Sequence, residues 1–345
     1  PRMASEYRSP AYRPPLSTPA PPRLPPARAV PTLAPCLANT SVHSISGFEK
    51  LPGHVQDFLR YKHCRSFPEL LSIPGKCGGS KGSPDIFLLL AIKSSPANYE
   101  RREVIRKTWG QERSWAGASI RRLFLVGVAP NPWQAKKLNR LLKLEQREHE
   151  DVLQWDFLDT FFNLSLKQLL FHSWLEQHCP GVRFVFNGDD DVFVNTDNLL
   201  RFAQGSQGQQ HLMVGQVIIN TGPIRNPGSK YFIPRQLQAS DRYPPYCGGG
   251  GMLMSGFTAL LIAHQAHSLD LFPIDDVYLG MCLEKAGLQP AAHPGVRNMG
   301  LWVPGSSDPF DPCYYRELLL VHRFVPYEVL LMWQAIHEPQ LQCGR

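Results

Sequence analysis

Between residues 85 and 200, short apolar runs alternate with longer stretches in which apolar residues recur every three or four positions. Runs of the first kind predict strands and stretches of the second kind predict helices, because side chains repeat every two residues along a strand and about every 3.6 around a helix. Asp85–Lys93 reads as a buried strand, Asn98–Trp109 as a helix and Arg121–Val128 as a strand. Gln134–Glu148 then reads as a helix carrying Leu138, Leu141, Leu142 and Leu144, followed by a strand at Asp151–Phe157. Leu164–His178 reads as a helix and Arg183–Phe186 as the next strand. Strands that are apolar throughout need cover on both faces, so the pattern predicts an α/β fold: a mostly parallel central sheet flanked by helices. In such sheets ligands gather beyond the carboxyl ends of the strands.

After residue 200 the pattern loosens. Strands are expected at Leu212–Ile219 and Lys230–Ile233, a glycine-rich turn at 248–251, and helices from about Phe257 and Asp276. Glu317–His322 reads as a strand, and Pro326–Ile336 as a last helix with proline in its first turn. Residues 36–84 form a lead-in containing Cys, Pro and Gly with one helix near Val55–Tyr61. Residues 1–35 hold 11 of the 32 prolines and few large apolar residues, the composition of a flexible stem. The organisation is thus a stem (1–35), a lead-in (36–84) and a catalytic domain (85–345), whose halves at 85–200 and 201–345 suit a nucleotide and an acceptor.

The net charge of +7 invites a nucleic-acid reading, but the stem alone contributes five arginines against one glutamate. The remainder carries little excess charge and no basic stripe interleaved with aromatics, so nucleic acid is not an expected partner. No run of 18 apolar residues exists to span a membrane, and the chain starts at Pro1, so an N-terminal anchor or signal would lie upstream of this sequence, which does not itself show one. Eight cysteines without metal spacing favour disulfides, and the sequons at Asn39 and Asn163 agree with a secretory compartment.

The chemistry concentrates at Phe184-Val-Phe-Asn-Gly-Asp-Asp-Asp-Val-Phe-Val194, three aspartates between apolar runs. Three unneutralised carboxylates there would repel one another, whereas Mn²⁺ or Mg²⁺ prefers carboxylate oxygens and leaves positions for substrate phosphates. There is no GxxxxGK[ST] loop and no GxGxxG. Lys93, Arg102 and Arg106 could meet a diphosphate instead, the two arginines sharing a helix face; a solvated basic face is an equal reading. Tyr243-Pro-Pro-Tyr-Cys-Gly-Gly-Gly-Gly251 combines aromatics suited to sugars with glycines that admit close approach. Asp275 and Asp276 open an apolar helix as caps or as a base, and His322 reads as a core histidine or a ligand.

Taken in order, these segments resemble the β-1,3-glycosyltransferase family of the Golgi, and within it the β-1,3-N-acetylglucosaminyltransferases. The matching segments are Arg101-Arg-Glu-Val-Ile-Arg-Lys-Thr-Trp-Gly110, Asp156-Phe-Leu-Asp-Thr-Phe-Phe-Asn-Leu-Ser-Leu-Lys167, Asn187–Val194, Tyr243–Gly251, Ile274–Gly280 and Leu320–Arg323. The lead-in segments Pro35–Ser41 and Arg60–Arg65 are similar to those of mucin-type members, which extend or build O-glycan cores. Asn163-Leu-Ser departs from the commoner Asn-Leu-Thr.

The resemblance implies a GT-A fold, a UDP-GlcNAc donor, Mn²⁺ (or Mg²⁺), and a luminal catalytic domain anchored to the Golgi membrane. It implies metal contacts at Asp189, Asp191 and His322, with Asp190 serving the nucleotide and Asp276 acting as the inverting base. Lys93, Arg102, Arg106, Asp156 and Lys167 would line the donor site. Tyr243, Tyr246, Gly249, Gly250 and Asp275 would face the acceptor, an oligosaccharide of a glycoprotein or glycolipid. The expected activity is GlcNAc transfer to the 3-hydroxyl of galactose on core-1 O-glycans or lactosamine, with core-3 formation on GalNAc as the alternative. A luminal glycan-binding protein without turnover and a metal-dependent phosphohydrolase are the rivals from other classes. Disulfides are expected at Cys247–Cys282, joining the glycine-rich wall to the Asp276 helix, and at Cys64–Cys77.

Overall fold

Every residue of the strand Ile86–Lys93 is buried, which is possible only with a layer on each face. Leu89 and Ala91 enter one apolar cluster, while Leu88, Leu90 and Ile92 enter the other, as the two-residue period of a strand requires. The computed structural model describes residues 36–207, 209–300 and 308–343; the expected stem lies outside them.

Among the described residues this strand sits inside a nine-stranded sheet. Ala118–Val128 and Phe184–Asp189 flank it on either side, both parallel to it, and Val152–Leu158 lies parallel beyond Ala118–Val128. The chain therefore reverses its direction of winding between Ile86–Lys93 and Phe184–Asp189, and the crevice at their carboxyl ends is where such sheets hold ligands. Helices Tyr99–Lys107, Pro132–His149 and Leu164–His178 make the crossovers.

The second half is not parallel. Gly251–Ser255 runs antiparallel to Phe184–Asp189 and to Met213–Gly215. The expected glycine-rich turn thus ends as a strand from Gly251. The expected strand Leu212–Ile219 is divided: Met213–Gly215 joins the main sheet, and Val217–Ile218 pairs with Tyr246–Cys247. Around Lys230–Ile233 there is only an isolated bridge, Ile224 to Phe232, since Pro227 and Pro234 remove ladder donors nearby. The last expected strand is shorter, Leu320–His322, and the last helix is Pro326–Ile336 as expected.

The lead-in shares the core: Phe48, Val55, Phe58 and Leu59 pack in the same cluster as Leu169 and Trp174. Its cysteines correct the expected pairing. Cys64 joins Cys36, Cys77 joins Cys179 at the end of Leu164–His178, and Cys313 joins Cys343. Cys64 and Cys77 are therefore not partners. Cys247 and Cys282 are both buried free thiols, so the expected bridge between them is also absent. Cys247 is held in its strand with its sulfur against Gly215, while the Asp275–Lys285 helix carries Cys282 into the core. Spacing along the chain says nothing about which Cα atoms the crossovers bring within bonding reach.

Candidate active site

Lys93 and Asp189 end adjacent parallel strands and face each other in register. The Lys93 ammonium lies 2.9 Å from Asp189 and 2.7 Å from Asp275, bridging carboxylates from two distant segments. Both contacts keep the buried lysine charged, raising its pKa despite burial, and Asp275 is held below the usual carboxylate range in return. Asp275 is buried, and Gln168 also donates to it at 3.3 Å. Gln168 in turn exchanges two amide hydrogen bonds of 2.8 Å with Asn187. Asp275 therefore supports Lys93 instead of facing an acceptor, and Lys93 neutralises carboxylates instead of a diphosphate.

After Asp189 the chain turns at Asp190 and Asp191 and returns as Val192–Val194, which pairs antiparallel with Leu320–His322. That pairing sets His322 opposite Val192, beside the turn. Its Nε2 lies 3.0 Å from Asp191 and 3.8 Å from Asp189. Its Nδ1 donates to the Asn298 carbonyl at 3.2 Å, which fixes the ring and turns Nε2 toward the carboxylates. One ligand atom from each of Asp189, Asp191 and His322 falls within 4.8 Å of the others.

Two carboxylates and one imidazole form a donor set that suits Mn²⁺. Burial, with Asp275 and Asp191 nearby, pushes Asp189 up to about 6 even against Lys93. Burial also opposes the charged form of Asp191, but the His322 hydrogen bond and Arg101 outweigh it and lower its pKa. The hydrogen bond to Asp191 raises His322 above its ordinary value.

Asp190 points away from this cluster. It is buried and accepts from Ser94 at 2.7 Å, Asn98 at 2.9 Å and Arg101 at 2.8 Å, so it braces the turn against the loop after Ile86–Lys93. Lys167 holds the same loop from the other side, with its ammonium 2.7 Å from the Ser94 carbonyl and 2.8 Å from Asp159.

Arg102 and Arg106 are not diphosphate contacts in this structure. Both are buried. Arg102 grips Glu145 through two nitrogens at 2.8 and 2.7 Å, and Arg106 grips Asp151 at 2.9 and 2.8 Å. They share a helix face as expected, but that face is turned inward. The arginine at the site is Arg101, one position earlier and so about 100° around the helix. Asp156 is exposed on its strand and borders an apolar cavity of about 840 Å³, whereas Asp159 is the residue of that segment bonded to Lys167.

Asp276, the next residue after Asp275, remains partly exposed. Burial first, then the neighbouring Asp275 charge, push its carboxyl up to about 7. Tyr243 and Tyr246 lie close enough for its charge to reinforce the effect of burial in raising their hydroxyls, so the aromatic wall and Asp276 share one recess. Gly249 backs onto it: a Cβ there would meet the Asp276 carboxylate at 3.5 Å. A Cβ on Gly250 would lie 2.9 Å from the His322 ring and 2.7 Å from Asn298 Oδ1, so this glycine admits a protein side chain, not a ligand as expected. Of the sequons, Asn39 is exposed, while Asn163 donates its amide to the Leu158 carbonyl at 2.9 Å.

Comparison with known sequences points to one family. The model of that family, described as Galactosyltransferase, matches residues 100–294, which include Asp189–Asp191 and Asp276 but stop before His322. N-acetyllactosaminide beta-1,3-N-acetylglucosaminyltransferase 3 of Homo sapiens is 56% identical over 93% of this chain and 85% of its own length. Acetylgalactosaminyl-O-glycosyl-glycoprotein beta-1,3-N-acetylglucosaminyltransferase of Homo sapiens is 53% identical over 100% of this chain and 90% of its own. UDP-GlcNAc:betaGal beta-1,3-N-acetylglucosaminyltransferase 7 of Rattus norvegicus is 46% identical over 90% of this chain and 77% of its own.

Proposed function

The chain belongs to the galactosyltransferase family, and from that premise we propose that it moves GlcNAc from UDP-GlcNAc to a sugar 3-hydroxyl, forming a β-1,3 linkage with inversion. The observation that carries the reading is the pairing of an Asp189–Asp191–His322 cluster with a separate carboxylate, Asp276, held up to about 7. A hydroxyl nucleophile needs a base, and a carboxyl near neutrality can accept its proton without being too weak a base. Asp276 takes that proton as the hydroxyl oxygen bonds to the anomeric carbon and the UDP oxygen departs from the opposite side. A single base and a single displacement invert an α-linked donor to a β-linked product.

Asp189, Asp191 and His322 would hold Mn²⁺, with Mg²⁺ as a substitute, and that cation would supply neutralisation of charge on the departing diphosphate. Lys93, Arg101 and the Asn298 carbonyl keep the three ligands and the aspartate turn in position. Tyr243 and Tyr246 give the acceptor an aromatic wall beside Asp276. The favoured acceptor is a terminal galactose on core-1 O-glycans or lactosamine, in line with the 56% identical relative. Core-3 formation on peptide-linked GalNAc is the second reading, favoured by the 53% identity that extends over the whole chain.

Three disulfides support an oxidising compartment. The lumen of the Golgi, behind an N-terminal anchor, is the location we infer. No helix among the described residues is long and apolar enough to cross a membrane. The test is a transfer assay with UDP-GlcNAc and Mn²⁺ against galactose- and GalNAc-terminated O-glycans, with the product linkage determined. A β-1,3-GlcNAc product on either acceptor supports the reading. UDP-sugar hydrolysis independent of acceptor, or glycan binding without UDP release, overturns it.

A further inference from the structure

The departing nucleoside diphosphate carries more negative charge than one divalent cation cancels, and a basic side chain facing the phosphates would offset the excess. The basic residues that the sequence offers for this are already committed to carboxylates. Lys93 pairs with Asp189 and Asp275, Arg101 with Asp190, Arg102 with Glu145, Arg106 with Asp151, and Lys167 with Asp159. Arg323, immediately after His322, is exposed and makes no ion pair among the described residues.

Its backbone is also unusual. Arg323 has φ of 76°, the left-handed region that side-chain-bearing residues seldom adopt. It is held there because the N–H groups of Arg323 and Phe324 both donate to the Asp191 carbonyl at 2.9 Å. Phe324 is buried against Phe193 and Tyr315, which anchors the far side of the turn. A strained conformation clamped to a metal-ligating aspartate on one side and to the core on the other fixes where the Arg323 side chain starts. A cavity of about 450 Å³ lies beside it, lined by His322, Arg323, Phe310 and Tyr327 among others.

We propose that Arg323 is a donor-binding residue whose guanidinium contacts the diphosphate of the nucleotide sugar beside the Asp189–Asp191–His322 cluster. The inference rests on the transferase reading above. A planar fork of N–H donors suits paired phosphate oxygens better than a point charge does. The left-handed turn trades backbone comfort for that position.

The trade makes the idea testable, because stability and binding should move in opposite directions in one variant. Arg323→Gly removes the guanidinium but adopts positive φ without strain. Its melting temperature should equal or exceed that of the wild type, while calorimetric affinity for UDP in saturating Mn²⁺ should fall about tenfold or more, the scale of a charge-assisted hydrogen bond. Mn²⁺ affinity in the absence of UDP should stay unchanged, and Arg323→Lys should recover part of the loss. Arg297, the neighbouring arginine on the Val296–Arg297 strand, serves as control, and Arg297→Ala should bind UDP normally. UDP affinity unaltered in Arg323→Gly overturns the assignment, as does an equal loss of Mn²⁺ affinity, which would make Arg323 a brace for Asp191 alone. If the wild type itself shows no Mn²⁺-dependent affinity for UDP, the transferase reading fails with it.

Discussion

Lys93 and Asp189 occupy matched positions at the ends of two adjacent parallel strands, and their side chains meet at 2.9 Å. They stand at the point where the sheet reverses its order of winding, so two segments nearly a hundred residues apart deliver a cation and an anion to one crevice. Asp275 closes the ammonium from a third segment. Three carboxylates can then crowd around the cluster because one of the charges opposing them is built into the sheet.

Asp276→Asn should separate catalysis from binding. The change keeps size and removes the proton acceptor, so turnover should fall by about 10²–10⁴-fold. UDP affinity in Mn²⁺ should be nearly unchanged, because the proposed metal contacts lie elsewhere. In the wild type the rate should rise with pH through about 7 as Asp276 loses its proton, and the residual rate of the variant should lack that limb. Turnover within a few-fold of the wild type would leave Asp276 a helix-terminal residue.

Metal affinity should depend on pH with a definite sign. Asp189 is pushed up to about 6 and His322 is raised, so protons on these groups compete with the cation as pH falls. Mn²⁺ affinity should therefore weaken as pH falls from about neutrality through 6, and binding in that range should release protons, visible as a buffer-dependent calorimetric heat. Asp191→Ala and His322→Ala should each abolish Mn²⁺-dependent UDP binding. Unaltered Mn²⁺ dependence in His322→Ala would remove the histidine from the ligand set.

Arg102→Ala tests the reassignment of the helix arginines. Removing Arg102 takes away the two-nitrogen partner of buried Glu145 and leaves it Arg106 alone at 2.9 Å, a loss of about 3 kcal/mol, the low end for breaking a buried pair. Thermal denaturation should register that loss, while the folded fraction should bind UDP with wild-type affinity. A stable variant with weakened UDP binding would restore Arg102 to the donor site.

The cysteines offer a chemical check. Burial pushes the Cys247 and Cys282 thiols up to about 12, so both should resist alkylation in the native protein and react after unfolding. Non-reducing peptide mapping should recover Cys36–Cys64, Cys77–Cys179 and Cys313–Cys343. A Cys247–Cys282 peptide would contradict the structure.

What the sequence determined by itself is whatever depends on neighbours along the chain. The α/β alternation of residues 85–200 was legible because strand and helix periods are local properties, and Asp189–Asp191 stood out because three adjacent charges between apolar runs need neutralising. Resemblance across ordered segments also singled out Asp191 and His322, which meet in space. Tertiary structure alone decided the pairings. A helix period says that Arg102 and Arg106 share a face but not which face is buried, so only packing against Glu145 and Asp151 revealed them as structural and left Arg101 at the aspartate turn. Likewise Cys77 found Cys179, and Gly250 made room for His322, through contacts between segments far apart in the chain. Composition and spacing cannot encode such contacts, because they depend on how the crossovers close rather than on any local preference.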